Sequence, residues 1–364
     1  MNLSRMASIA GIVCLMGLLV SGAARVYGAD ERTVVVAPKL HTAGEARGQA
    51  GVSGPFDRSA ASVQALTMAE NGTVYAGTFG HGIFRTLDHG ATWAPVGNGV
   101  SDPFILSLTV VKGGAIYAGT FRGGIFRSRD EGHTWQQVNE GLKRLEVKTL
   151  MPTDDGLYAG TGDGVYRLQE AADRWSVVTT GLDDVLVHAL ARSTEGTLYA
   201  GTSGQGVLRF TRKTPGWVRM REGLKSSEGL IENFIRVLVI DNEQGILAGT
   251  FDGGVFRSVD GGVTWRLISR GLPNDSIRGI ILVGQDLIVA TGNGIFKTAD
   301  KGKHWIAMNK GLTTLAVQAL IGSEGGSLYA GTTAGVFRSD DALTWVAVNQ
   351  GLEVGIAPPP FLFR

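Results

Sequence analysis

FRSRDEGHTW, residues 126–135, returns at 256–265 as FRSVDGGVTW. Each copy closes on a tryptophan, and the chain has seven of them: Trp93, Trp135, Trp175, Trp217, Trp265, Trp305 and Trp345. Their spacings are 42, 40, 42, 48, 40 and 40 residues. A period near 40 residues, held over most of a chain, marks a propeller or a similar array of small supersecondary units.

Around each tryptophan, every period has the same layout. A short apolar strand opens it, as VQAL at 63, VKTL at 147, VHAL at 187, IRVL at 235 and VQAL at 317. After a turn comes YAGT at 75, 117, 158, 199 and 329, or LAGT at 247. GIFR, GVFR or a variant follows, then a turn into the tryptophan strand, which ends in a Gly-Leu or Gly-Val pair. Four strands per period, with 54 glycines available for the turns, predict an all-β fold. The expected architecture is a seven-bladed β-propeller of four-stranded antiparallel blades over residues 62–352. The blades fall at about 62–99, 104–141, 146–181, 186–223, 234–271, 276–311 and 316–351.

Such a sheet cannot bury both faces alone, so neighbours must stack, and one indole per blade suits the interface. Burying about 150–250 Å² of indole contributes roughly 4–6 kcal/mol per blade before chain entropy is subtracted. A solenoid would need polar capping repeats at its ends. The first and last periods here carry ordinary apolar strands, which favours a closed ring. The parse starts with the first strand of blade 1 and ends with the fourth strand of blade 7, so no blade mixes the two ends. Residues 34–36 or 361–363 are candidates for an added closing strand.

The opening decapeptide contains the pattern S-x-D-x-G-x-T-W, at Ser128, Asp130, Gly132, Thr134 and Trp135 and again at Ser258, Asp260, Gly262, Thr264 and Trp265. Blade 1 has Thr86, Asp88, Gly90, Thr92 and Trp93; blade 6 has Thr298, Asp300, Gly302 and Trp305, with His304 in the threonine place. A short carboxylate here can accept hydrogen bonds from its own loop, and glycine permits positive φ. The pattern resembles the Asp-box, or BNR, repeat, and the chain resembles Asp-box propellers over about residues 62–352. That group includes sialidases, xyloglucan-active glycosidases, sortilin-type receptors and Ycf48-type photosystem II assembly factors. The resemblance implies that Asp88, Asp130, Asp260 and Asp300 are structural and lie on the face away from the ligand site. Blade 3 has Glu170 and Ala172, and blade 4 has Arg212 and Thr214, where Asp and Gly are expected; blade 7, SDDALTW, is one residue short.

The N-terminus reads as something other than fold. Arg5 precedes the apolar run ASIAGIVCLMGLLV at 7–20, and small residues follow, so residues 1–29 are expected to be a signal peptide. The run is short for a membrane span, which needs about 20 residues, so contact with a membrane is expected only through an uncleaved segment. The product is expected to be exported, to a periplasm or the outside, as a monomer. Residues 30–61 are expected to form a flexible linker and 353–364 a tail. The only cysteine is Cys14, so the mature chain would have no disulfide, thiolate nucleophile or cysteine-based zinc site. Net charge is +1, and −1 without Arg5 and Arg25, so nucleic acid is not an expected partner.

For a site, the informative position is the second residue of each first strand: Gln64, Leu106, Lys148, His188, Arg236, Arg278 and Gln318. Six are polar among apolar neighbours. In propellers this position lies near the channel entrance, so a partly cationic ligand-binding ring is expected there, suited to a carboxylate, a phosphate or an acidic peptide. The alternative is strand-end polar residues facing water or paired with loop acids. A second set, Arg85, Arg127, Arg167, Arg209, Arg257, Lys297 and Arg338, recurs so strictly that packing explains it better. The turns between second and third strands offer Phe79, Phe121 and Phe251 as an aromatic platform or as wedges, and Asp163 and Asp252 as an acidic site. No catalytic residue, metal or cofactor is assigned: nucleotide, GxSxG and HExxH fingerprints are absent and the histidines are scattered. The expected function is a non-catalytic binding or assembly propeller that takes a protein, peptide or anionic ligand on the channel face. The alternative is a sialidase-like or xyloglucanase-like glycoside hydrolase, with a glycan as partner, although no flanking carboxylate pair stands out.

Overall fold

The computed structural model describes residues 59–213, 216–220, 222–225, 233–323 and 325–354. The expected signal peptide at 1–29, the expected linker up to residue 58, both candidate closing strands, residues 226–232 between blades 4 and 5 and the expected tail beyond residue 354 lie outside the described residues.

Seven four-stranded antiparallel sheets follow one another, each built from four consecutive strands in order. Blade 2 is typical, with Ile105–Val110, Ile116–Thr120, Ile125–Ser128 and Gln136–Gln137. The other first strands are Val63–Met68, Val147–Thr153, Val187–Arg192, Ile235–Ile240, Ile277–Val283 and Val317–Gly322. Each first strand touches the next, and that of blade 7 touches that of blade 1. The ring is therefore closed, with first strands around its axis.

The core lies between blades, one apolar cluster to each of the seven junctions. Between blades 1 and 2, Tyr75, Ile83 and Val96 pack on Ile105, Phe126 and Trp135. At the closing junction Val63, Phe84 and Trp93 meet Tyr329, Val336 and Leu352. The AGT segment explains how close the sheets come: a Cβ at Gly119 would collide with Val147 of the next blade, and one at Gly331 with Val63. Five tryptophans are buried, and Trp217 and Trp305 partly so. Five indole N–H groups donate to a carbonyl of the preceding blade, among them Trp175 to Val138 at 2.7 Å and Trp93 to Val348 at 2.8 Å across the closing junction. Those of Trp217 and Trp265, on either side of blade 4, have no partner.

The turn into the tryptophan strand is held by its carboxylate. Asp130 accepts from the Ser128 hydroxyl at 2.8 Å, the Thr134 backbone N–H at 2.9 Å and the Thr134 hydroxyl at 2.6 Å. The threonine hydroxyl is the main reason that Asp88, Asp130 and Asp260 are held down at about 2. In blade 6 the His304 backbone N–H has the largest such effect on Asp300, and the imidazole stands in for threonine at 2.6 Å. The shortened blade 7 turn keeps the device: Asp341 accepts from Ser339 at 3.1 Å and from the Thr344 N–H at 2.7 Å, with Ala342 at φ 54°. Blade 3 replaces the turn with a short 3-10 helix, Glu170–Ala172.

The ends meet without sharing a blade. Ser59–Ala60, in the stretch expected to be linker, pairs antiparallel with Glu353–Val354 at the start of the expected tail, and Ala61 N–H donates to Leu352 at 3.0 Å.

Candidate functional site

Every first strand carries a β-bulge at its second residue: the register slips between Val63 and Ala65, and at the same place in all seven blades. A bulge takes its residue out of the ladder and re-aims its side chain. The seven residues at these bulges are all half-buried. Blades 3 to 6 present Lys148, His188, Arg236 and Arg278, whereas blades 7, 1 and 2 present Gln318, Gln64 and Leu106. Positive charge thus occupies one arc of the ring.

Within that arc the groups feel one another. His188 is pushed down to about 4 by burial and then by the charges of Lys148 and Arg236 on either side. Burial, then Arg278, brings Arg236 down to about 10, and burial lowers Arg278. Their partners differ. Lys148 is neutralised by Glu146 at 2.9 Å. His188 Nε2 lies 2.6 Å from the Ser203 hydroxyl, and Gln64 donates to Ser62 at 3.1 Å. Arg236 lies 4.3 Å above the Phe251 ring, and Arg278 Nε is buried with no partner. Among the described residues no carboxylate pairs with Arg236 or Arg278. Half-buried cations without a counter-charge are costly, and an anion would relieve that cost.

The three phenylalanines lie in separate turns with different neighbours. Phe79 meets Phe104 edge-on at 4.8 Å. Phe121 lies under Arg122 at 5.1 Å and Lys148 at 5.9 Å. Phe251, with the exposed Phe234 beside it in the backbone pairing, adjoins a half-buried arginine, Arg236, whereas Arg122 over Phe121 is exposed. Phe104 and Phe234 escaped the sequence reading, although each stands just before a first strand, as PFIL and NFIR.

The two candidate acids lie two blades apart. Asp163 is buried and accepts from the Thr161 hydroxyl at 2.9 Å and the Tyr166 hydroxyl at 3.0 Å, so it braces its own turn. Asp252 neighbours Asp275 instead, whose carboxyl is raised by burial and by the Asp252 charge. Among the described residues no group of side chains is arranged to hold a metal ion.

The recurrent outer cations are occupied. Arg85 donates to the Glu131 carbonyl of the next blade at 2.8 Å, Arg209 to Gly261 at 3.2 Å and Arg338 to His89 at 3.3 Å. Tyr75, Tyr199 and Tyr329 donate to the same three carbonyls, each at 3.3 Å. Arg127 instead grips Asp173 with both arms, one at 2.8 Å. A cavity of about 940 Å³ opens at the other mouth of the channel, walled by Met68, Met151, Leu190 and Leu238, with Glu70 and Lys112 at its rim.

No family model matches the chain, and no curated protein sequence matches it. Solved structures do. The extracellular domain described as that of a one-component system from B. thetaiotaomicron superposes with a TM-score of 0.66 at 18% identity, over 78% of this chain and 40% of that one. The Niastella koreensis GH74 enzyme gives 0.63 at 15% identity, over 81% of this chain and 55% of that one. YCF48 bound to a D1 peptide gives 0.61 at 13% identity, over 79% of this chain and 94% of that one. This chain therefore spans 40–55% of the first two chains and nearly all of the third. At these identities the likeness is one of fold.

Proposed function

We propose that this chain is an exported, non-catalytic binding module that holds an acidic segment of a protein partner at the channel mouth, in the manner of a Ycf48-type propeller. The observation that carries the reading is the pair Arg236 and Arg278, half-buried on consecutive blades and paired with no carboxylate among the described residues. Guanidinium groups accept a carboxylate through two parallel hydrogen bonds. Phe251 and Phe234 supply adjoining apolar surface for the flanking residues of a peptide. The peptide held by YCF48 and the extracellular placement of the sensor domains support a binding role. Export rests on the signal-like residues 1–29. Among the described residues no helix is long and apolar enough to cross a membrane.

The test is a titration of the chain with a Glu-rich peptide and its Gln isostere. The acidic peptide should bind more tightly, and Arg236→Gln/Arg278→Gln should weaken it by about 10- to 100-fold, as expected for losing charge-assisted hydrogen bonds. Equal affinity for the two peptides, or no loss in the double variant, would overturn the reading.

Hydrolysis of a glycan is a second reading, favoured by the Asp252–Asp275 neighbourhood and by the GH74 relative. A raised carboxyl beside an ionised one is how acid and base roles divide in glycosidases. Turnover of a xyloglucan or sialoside panel that disappears in Asp275→Asn would replace the binding reading with this one.

A further inference from the structure

The junction between blades 3 and 4 departs from the others. At the regular junctions the arginine of a third strand and the tyrosine of a second strand grip a carbonyl in the next blade's turn, as Arg85 and Tyr75 grip Glu131. Blade 3 has both grips, Arg167 and Tyr158, but blade 4 has Arg212 where the turn's aspartate stands elsewhere. Arg167 instead folds back onto the Asp155 carbonyl of its own blade, and the Tyr158 hydroxyl reaches the Asp155 carboxylate at 3.3 Å. A cavity of about 300 Å³ remains between the blades, walled in part by Ser176 and Phe210.

Three arginines converge on this cavity. Arg192, Arg212 and Arg167 lie 3.4, 3.6 and 3.8 Å from one oxygen of Asp155, and none has another carboxylate in ion-pair range among the described residues. Arg167 Nε is buried with no partner. Three cations against one anion leave an excess of two positive charges. The other junctions without the regular grip are balanced: Arg257 and Lys301 share Asp241 and Glu243, and Lys297 meets Asp286. The excess belongs to this junction, and the distances are long for hydrogen bonds, so the guanidinium groups are gathered without being saturated.

We infer that the blade 3–4 junction is an oxyanion site for a phosphate or sulfate group, separate from the channel mouth. Guanidinium groups arriving from two blades suit a tetrahedral group, whose oxygens point in several directions. Phe210, backed by Trp217 at 5.5 Å, offers an apolar wall to an organic substituent.

The experiment is calorimetric titration of the full chain at low ionic strength with inorganic phosphate, sulfate and phenyl phosphate. It is run in the Arg236→Gln/Arg278→Gln background, so that the channel mouth is silent. Saturable binding above a chloride control is expected. Arg212 is four-fifths exposed, 81%, so Arg212→Glu spares the core; it should weaken binding about tenfold or more. Arg192→Gln should act in the same direction, with unliganded Tm confirming the fold. Tighter binding of phenyl phosphate than of inorganic phosphate, with the gain lost in Phe210→Ala, supports the site and identifies a monoester as occupant; equal affinities support it and identify the free ion. No saturable binding, or Arg212→Glu indistinguishable from its parent, overturns the inference.

Discussion

Two sets of cations encircle this propeller, and they behave in opposite ways. The outer set, on the third strands, recurs in all seven blades, and its members are engaged with carbonyls or carboxylates, often of the neighbouring blade. The inner set is confined to blades 3 to 6, and its two arginines have no counter-charge among the described residues. Repetition follows from the ring: whatever joins one blade to the next is needed seven times. Recognition has no such reason to repeat, because a ligand meets the ring from one side. Identical chemistry therefore serves cohesion at the rim and leaves unspent attraction at the channel.

Changes at the rim should lower stability and leave binding alone. Arg127 is the most buried of the outer set, 5% exposed, and Asp173 opposite it is 47% exposed. Removing one partner of a fully buried pair costs about 3–5 kcal/mol. The half-exposed acid screens this pair, so Arg127→Ala should cost about 2–3 kcal/mol in denaturant unfolding. Arg278 has no ion pair among the described residues, so Arg278→Ala should change stability by less than about 1 kcal/mol. Equal losses at the two positions would erase the distinction between rim and channel.

His188 gives the inner set a dependence on pH that the outer set lacks. Half-buried between Lys148 and Arg236, it is held neutral down to about pH 4. A bound carboxylate would favour its protonated form, so binding should take up a proton between the free value and the higher value in the complex. The acidic peptide should then bind more tightly as pH falls from 7 to 5, by less than about tenfold per unit for a single proton. His188→Gln should flatten that slope while leaving affinity at pH 7.5 nearly unchanged. A slope that persists in His188→Gln would assign the proton to another group.

The sequence shows the ring plainly, because seven indoles and seven AGT-like segments must recur for the blades to stack. It also marks the channel position, since a polar second residue in VKTL or IRVL breaks an apolar strand. It does not show which cations are free. Glu146, which neutralises Lys148, lies in a loop without periodic signal, and Ser203 reaches His188 from a different turn. Asp163 looks available in the sequence because nothing there says that Tyr166, three residues on, closes over it. The blade 3–4 junction is harder still: nothing in the sequence says that Arg167 folds back onto Asp155, where Arg192 and Arg212 also gather.

The smallest effect expected lies where the rim depends on a turn. Arg85 grips the carbonyl of Glu131, a left-handed residue at φ 57°, and the Asp130 carboxylate fixes that conformation through Ser128 and Thr134. Asp130 is held at about 2, against an ordinary value near 3.8 for an unpaired aspartate. The folded value is the lower one, so the carboxylate's contribution is complete above about pH 4 and is lost as pH falls through about 2. Asp130→Asn should therefore melt a few degrees below the wild type at pH 7. The gap should narrow between about pH 4 and pH 2 and nearly close below that, as the wild-type carboxylate protonates. A constant gap over that range would mean that turn geometry, and not charge, sets the rim in place. Peptide affinity at the channel mouth should be the same in both proteins, because the turn touches only the outer set.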